Sequence, residues 1–247
     1  MDKHTNGGMQ KFDMNFYDIL IAGAGVSGSA AAVAAARCGK SVLLVERDYY
    51  PGGTATSALV NPMQTFHSPS GRVIGGFAQE LVEALVAAGG SLGHLPDPLG
   101  FVTTVTPVDA EILKIVLTDF LKREGVNLIM GVRLIAVKFA GDGIIGSVVL
   151  QGEGGEEWEV GARVFIDATG NGDLTYAAGV PMEIDKDSQP MTLIFRVGNV
   201  DAAEIINFQE FEKLGSIEQA RSAGKIRAEG KNYVMQDGDI ALFKFNV

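Results

Sequence analysis

Apolar residues fall along the chain in two kinds of block. Asp18–Ala22 (DILIA) is a short apolar run closed by glycine, the pattern of a strand buried on both faces. From Gly25 to Cys38 the text turns to alanine (Ala30, Ala31, Ala32, Ala34, Ala35, Ala36), which predicts a slim helix stopped by Gly39. Ser41–Glu46 (SVLLVE) is a second strand-like run. Strand, helix and strand in that order predict a βαβ unit with a right-handed crossover. Phe77–Ala88 reads as a helix. Pro107–Glu124 reads as an amphipathic one, with Ile112, Ile115, Val116, Phe120 and Leu121 on its buried face and Gly125 as its stop. Val126–Met130 is expected to lie parallel to the first two strands. Arg133–Phe139, Ile144–Leu150 and Glu157–Val160, parted by glycine turns, predict a β-meander, and Val164–Asp167 returns to the buried-strand pattern. Toward the C-terminus, Met191–Val197 reads as a strand, Asp201–Ala223 as mostly helical and Ile240–Phe245 as a strand.

Composition narrows the class of molecule. Glycine supplies 32 of 247 residues, nearly twice its usual share of about 7%, without a collagen-like period. So much glycine in an otherwise globular composition calls for tight turns and close backbone approach. The balance of 20 basic against 30 acidic residues gives a net charge of −10, which argues against a nucleic-acid partner. A single cysteine, Cys38, excludes a disulfide framework and any multi-cysteine metal site within the chain, and buried packing is expected of it. No apolar run approaches 18 residues and the first 16 residues lack a signal-peptide core, so no membrane span is expected and the expected location is cytoplasmic.

One motif carries chemistry. The first βα turn is Gly23-Ala24-Gly25-Val26-Ser27-Gly28, a G-x-G-x-x-G between a strand and a helix. Gly23 permits the sharp turn, Gly25 lets backbone approach a pyrophosphate, and Gly28 lets helix pack on sheet. The pyrophosphate would meet the N–H groups and positive end of the helix. Glu46, at the end of the second strand, is placed to bond the ribose hydroxyls of an adenosine, and its charge disfavours a 2′-phosphate. The unit alone leaves NAD and FAD open. Gly52-Gly53 and the late turn in VFIDATGNGD (Val164–Asp173) bring further backbone to the carboxyl end of the sheet, which suits a longer cofactor.

These features together resemble the FAD-dependent oxidoreductases of the two-dinucleotide-binding-domain flavoprotein superfamily. The resemblance is carried by Glu46-Arg47, Gly52-Gly53, Ala55-Thr56, Leu59-Val60-Asn61-Pro62, Phe165–Asp173 and Ala178–Pro181, with Gln189–Thr192 and Phe195-Arg196 in support. It implies an α/β fold: a Rossmann-like FAD/NAD(P)-binding domain with a central parallel sheet and a β-meander, plus part of a second α+β cap or substrate domain. Residues 1–16 would be a flexible tail, 17–62 and 107–180 the FAD-binding domain, and 63–106 with 181–247 an incomplete cap. By the resemblance the pyrophosphate would be held by Gly23, Ala24, Gly25, Val26 and Ser27. The adenosine would be met by Glu46 on its ribose, and by Arg47 and the backbone of Leu134 at the adenine. Gly52, Gly53, Thr54 and Ala55 would approach the phosphates and flavin, and Ala168, Thr169, Gly170 and Asp173 would close over the cofactor. Members of the family also continue past the length seen here, so the expectation is a C-terminally short chain.

The remaining candidates are few. His67, after the glycine pair, is the one candidate for a proton donor or substrate ligand, a reading set against, and ranked below, that of a loop histidine bonded to its own backbone; His94 ranks below it and His4 is idle. Arg72 and Arg196 could bind a substrate carboxylate bidentately, a reading set against, and ranked below, that of a solvated or structural charge. No metal site is expected. The function expected is hydride or electron-pair transfer between FAD and a small-molecule substrate. The alternatives are a split or non-catalytic FAD/ADP-binding fragment that needs a complementing C-terminal chain or a homo-oligomer, and, more weakly, an NAD-dependent dehydrogenase.

Overall fold

A computed structural model describes residues 16–183, 200–230 and 238–245. The chain divides into two compact units, Met1–Ile194 and Phe195–Val247. In the first unit β1 (Tyr17–Ala22), α1 (Val26–Arg37) and β2 (Val42–Glu46) form the βαβ unit. Five short strands follow, β3 (Met63–Gln64), β4 (His67–Ser68), β5 (Gly71–Arg72), β6 (Leu95–Pro96) and β7 (Thr104–Thr106), with α2 (Phe77–Ala87) between β5 and β6. Then come α3 (Ala110–Arg123), β8 (Asn127–Met130), β9 (Val132–Gly141), β10 (Ile144–Gly152), β11 (Glu157–Asp167) and the short α4 (Asp173–Ala177).

The main sheet has the order β8-β2-β1-β11-β10-β9. β8, β2, β1 and β11 run parallel, and β9, β10 and β11 form the antiparallel meander. Successive residues of β1 and β2 feed opposite faces. Ile21 and Leu44 pack with Ala32 and Val33 of α1, Leu81 and Leu85 of α2, and Leu113, Leu117 and Leu121 of α3. Leu20 and Leu43 pack on the other side with Val148, Leu150 and Val160 of the meander and Leu174 of α4. Burial on both faces is why these strands read as unbroken apolar runs rather than alternating ones.

Several expectations are corrected. The two strands expected at Glu157–Val160 and Val164–Asp167 are one, β11, whose first half pairs with β10 and whose second half pairs with β1. A Cβ on Gly161 would lie 2.8 Å from the Phe16 ring, so the bare backbone carries the strand past that ring. The α3 helix begins at Ala110, not Pro107, because Asp109 supplies the cap: its Oδ1 accepts from the Glu111 and Ile112 N–H groups at 2.8 and 3.0 Å. Its buried stripe is Leu113, Leu117, Phe120 and Leu121, while Ile115 is 63% exposed. Cys38 is exposed, since it caps the C-terminus of α1 where the helix leaves the sheet.

The second unit holds β12 (Val200–Asn207), α5 (Phe208–Leu214), α6 (Ile217–Ser222), β13 (Arg227–Gly230) and β14 (Asp239–Phe245), with sheet order β13-β12-β14 and antiparallel pairing throughout. The expected helix over Asp201–Ala223 therefore starts only at Phe208. Ala202, Ala203 and Glu204 favour helix locally, but buried Ile205 and Ile206 and pairing on both edges make this the central strand. Asn207 ends it, accepting the Gln209 N–H as the cap of α5. The strand expected at Met191–Val197, with Gln189–Thr192 and Arg196, lies outside the described residues.

Candidate functional site

Three turns at the carboxyl ends of β1, β2 and β11 pack on one another. At the first, Gly23 has φ +96°, and its N–H donates to Val45 O at 2.8 Å. A Cβ there would lie 2.4 Å from Ala168 O, and one on Gly28 would lie 1.9 Å from Gly23 O. No side chain fits at either position, so strand, turn and helix meet backbone to backbone. Gly25 differs. Its φ is −62°, and a Cβ would meet only the Gly53 Cα, at 3.9 Å. The fold leaves space at Gly25 that it does not itself use.

Gly25 is also the N-cap of α1, with no side-chain cap and no acidic residue in the first turn. The first N–H groups of a helix have no partner within it. The positive end of α1 is therefore open to an external anion. Ser27, on the first turn, is exposed.

The glycine pair docks against this turn. Gly52 N–H donates to Ala24 O at 2.9 Å, and Gly25 and Gly52 form a parallel bridge. Thr56 Oγ1 donates within the pair's own turn, toward Pro51 O at 3.0 Å and Gly53 O at 3.2 Å. Thr54 is exposed and Ala55 buried.

Glu46 is buried at the end of β2. Its Oε2 accepts from Ala24 N–H at 2.7 Å and its Oε1 from Asp48 N–H at 3.0 Å. Each oxygen has a second lone pair, so the carboxylate is fixed in place and still able to accept two further donors. Arg47 is exposed beside Asp48, 3.9 Å away. Gly131 N–H donates to Asp48 O at 3.1 Å, which brings the start of β9, and so Leu134, to the same end of the sheet as Glu46 and Arg47.

The third turn follows β11. Ala168 N–H donates to Ala22 O at 2.8 Å. Asp167 accepts four hydrogen bonds: Oδ1 from Thr169 N–H and Oγ1 at 3.0 and 2.7 Å, and Oδ2 from Thr175 N–H and Oγ1 at 2.8 Å each. Thr169 Oγ1 in turn accepts from Asp173 N–H at 2.9 Å. Burial alone would raise the Asp167 pKa, but the four donors outweigh it and hold the carboxyl below its ordinary range. Gly170 is exposed at the turn's tip. Sequence reasoning named Ala168, Thr169, Gly170 and Asp173 but not Asp167, the group that organises them; an aspartate at a strand end with threonines two and eight residues on was the available signal.

His67 is set apart from these turns, on β4 opposite Arg72 of β5. Its Nδ1 lies 3.1 Å from Thr104 Oγ1, and its ring meets that of His94 edge-on with centroids 5.0 Å apart. His94, ranked below it, is the more embedded of the two. Its Nδ1 bonds Thr106 Oγ1 at 2.8 Å and its Nε2 bonds Gln79 Oε1 at 2.9 Å, while burial first, and then the charges of His67 and Arg72, lower its pKa. Arg72 is exposed. Among the described residues, no group of three or more His, Cys, Asp or Glu is placed to hold a metal ion, and no helix is long and apolar enough to cross a membrane.

Comparison with known proteins gives a family match and two sets of partial likenesses. The family described as FAD dependent oxidoreductase matches residues 18–246. Among curated proteins, Obg-like ATPase 1 of Oryza sativa subsp. japonica is 56% identical over 45 residues, 18% of this chain and 11% of that protein. The same protein of Danio rerio is 50% identical over 44 residues, with the same shares. The chain spans about a tenth of the length of these curated relatives. Among solved structures, THI4 of Thermovibrio ammonificans has TM-score 0.48 and 19% identity, covering 67% of this chain and 64% of that one. A flavoprotein/dehydrogenase from Cytophaga hutchinsonii has TM-score 0.47 and 19% identity, covering 81% and 47%.

Proposed function

The chain belongs to the FAD-dependent oxidoreductase family, and from that premise we propose that its first unit holds the ADP half of FAD across the three turns and serves electron-pair transfer with a small-molecule substrate. The observation that carries this reading is the N-terminus of α1, uncapped by any side chain, free of acid in its first turn, and faced by space at Gly25 that a Cβ would occupy. A pyrophosphate answers all three features at once. Gly23, Ala24, Gly25, Val26 and Ser27 would present backbone to it, with Gly28 seating the helix. Gly52, Gly53, Thr54 and Ala55 approach from the docked pair, and Ala168, Thr169, Gly170 and Asp173 from the third turn.

Glu46 would accept both ribose hydroxyls with the lone pairs that Ala24 and Asp48 leave free, and Arg47 and the Leu134 backbone would flank the adenine. When bound, FAD supplies a ring that takes up or gives back a hydride or an electron pair. His67 is the candidate on the substrate side: Thr104 occupies Nδ1, so a proton would be given or taken at Nε2. The strands β3 to β7 around it would belong to the cap. The 45-residue likeness to Obg-like ATPase 1 covers 18% of the chain, and ATP hydrolysis is no part of this proposal.

The test is direct. The purified chain is titrated with FAD and, separately, with NAD, following flavin fluorescence and binding heat, and bound flavin is released by denaturation. Saturable FAD uptake at one per chain is expected. A colourless protein that takes up no FAD contradicts the reading, and a preference for NAD replaces it with a dehydrogenase.

A further inference from the structure

The geometry points to Asp167 as a positioning residue for the dinucleotide site: it holds the Ala168–Gly172 turn against the glycine turn of α1 and acts on the cofactor only through it. This rests on the dinucleotide reading above. The chain of contacts is short. Asp167 fixes Thr169 through two hydrogen bonds and the first half of α4 through two more from Thr175. Thr169 is fixed a second time by Asp173 N–H. Ala168, between them, is thereby seated in the space left by two missing side chains: its O faces bare Gly23, and its Cβ would be 3.1 Å from a Cβ on Gly28. Gly23 and Gly28 begin and end the turn that opens α1, so the wall behind that turn is Ala168.

Four donors on one carboxylate define a single arrangement. An amide at this position keeps the shape but turns one acceptor atom into a donor that faces donors. The wall then has no single resting place, and the N–H groups of α1 lose their fixed aim. The low pKa keeps the carboxylate charged across neutral pH, so this hold is present under all ordinary conditions.

The experiment uses the full chain with Asp167→Asn, and with Thr175→Val, which removes one of the four bonds and keeps the carboxylate. Two readouts are taken: the Kd for FAD, and amide hydrogen exchange over residues 23–28 in the cofactor-free chain. Asp167→Asn is expected to weaken FAD binding at least tenfold and to speed exchange at residues 23–28. Thr175→Val is expected to do both to a smaller degree, and it carries the test if Asp167→Asn does not fold. Asp109→Ala is the control for a merely structural loss, expected to lower the melting temperature while leaving both readouts within twofold. Unchanged exchange at 23–28 in the folded variants, or FAD affinity within twofold of the parent, overturns the proposal. If the parent chain binds no FAD, the functional reading fails, and the exchange measurement still decides the role of Asp167.

Discussion

Two helices of the first unit begin in opposite ways. α3 is closed by its own chain: Asp109 accepts two of the first N–H groups and Glu111 adds acid to the first turn. α1 is left open, with glycine at the cap, no side chain capping it and no acid in its first turn; the nearest carboxylate, Glu46, is taken up by the Ala24 N–H just ahead of the cap. Both pack into the same core, and at 12 and 14 residues both are short enough to depend on it. At their other ends they are even joined, since Arg37 in the last turn of α1 bonds Glu124 at the cap of α3 and Glu80 of α2. The difference is thus confined to the N-termini. A capped terminus stabilises the apo chain, and an open one leaves that stabilisation to a ligand.

Substitutions at the two N-termini should move the two helices apart or make them alike. The largest effect is expected from Gly28→Val, whose side chain would collide with Gly23 O in a region with no room to move. The loss should reach or exceed the upper end of the usual range of about 1–3 kcal/mol for overpacking, read as a collapsed or missing thermal transition. Next, Ser27→Asp gives α1 the acid that α3 has. The apo chain should gain about 0.3–1 kcal/mol from the helix dipole, while FAD affinity falls at least tenfold; a calorimetric Tm and an FAD titration check both signs. Asp109→Ala takes the cap from α3. About 1 kcal/mol of stability should go, seen as a Tm lower by roughly 2–4 °C, with FAD affinity unmoved.

The smallest effect concerns the shared end. Arg37 holds Glu80 and Glu124 below the ordinary glutamate range, through hydrogen bonds first. Folded values below unfolded ones mean a contribution that is complete above the unfolded pKa of about 4.5 and is lost as pH falls through the folded values. Arg37→Met should therefore lower Tm slightly at pH 7 and flatten its decline in acid, and a pH series of melting curves would show it. Because these groups are exposed, the effect should be weaker again in high salt.

The open helix was legible in the sequence and the closed one only in part. Gly23, Gly25 and Gly28 sit at spacings with a single geometric use, so the βαβ unit and its turn could be read directly. At α3, Pro107 drew the boundary too early and Asp109 was passed over, although an aspartate before an apolar stripe is itself a start signal. Ile115 was misplaced because two faces of that helix carry apolar residues, and only packing on the sheet selects Leu113 and Leu117. The β12 strand is hidden for a related reason: its local preference is helical, and its pairing partners lie 22 to 45 residues ahead in sequence. Asp167 escaped notice because its role lies in what it accepts, and four hydrogen bonds to two threonines leave no periodic trace. The His67–His94 contact joins a residue of β4 to one in the loop just before β6, which no pattern in the chain announces.

On the reading proposed above, the space at Gly25 serves a bound pyrophosphate and not the fold. Gly25→Val tests it most directly, with FAD affinity and Tm measured on the same preparation beside the parent chain. The variant is expected to melt within a few degrees of the parent and to take up no FAD. A variant that binds FAD as the parent does would contradict it.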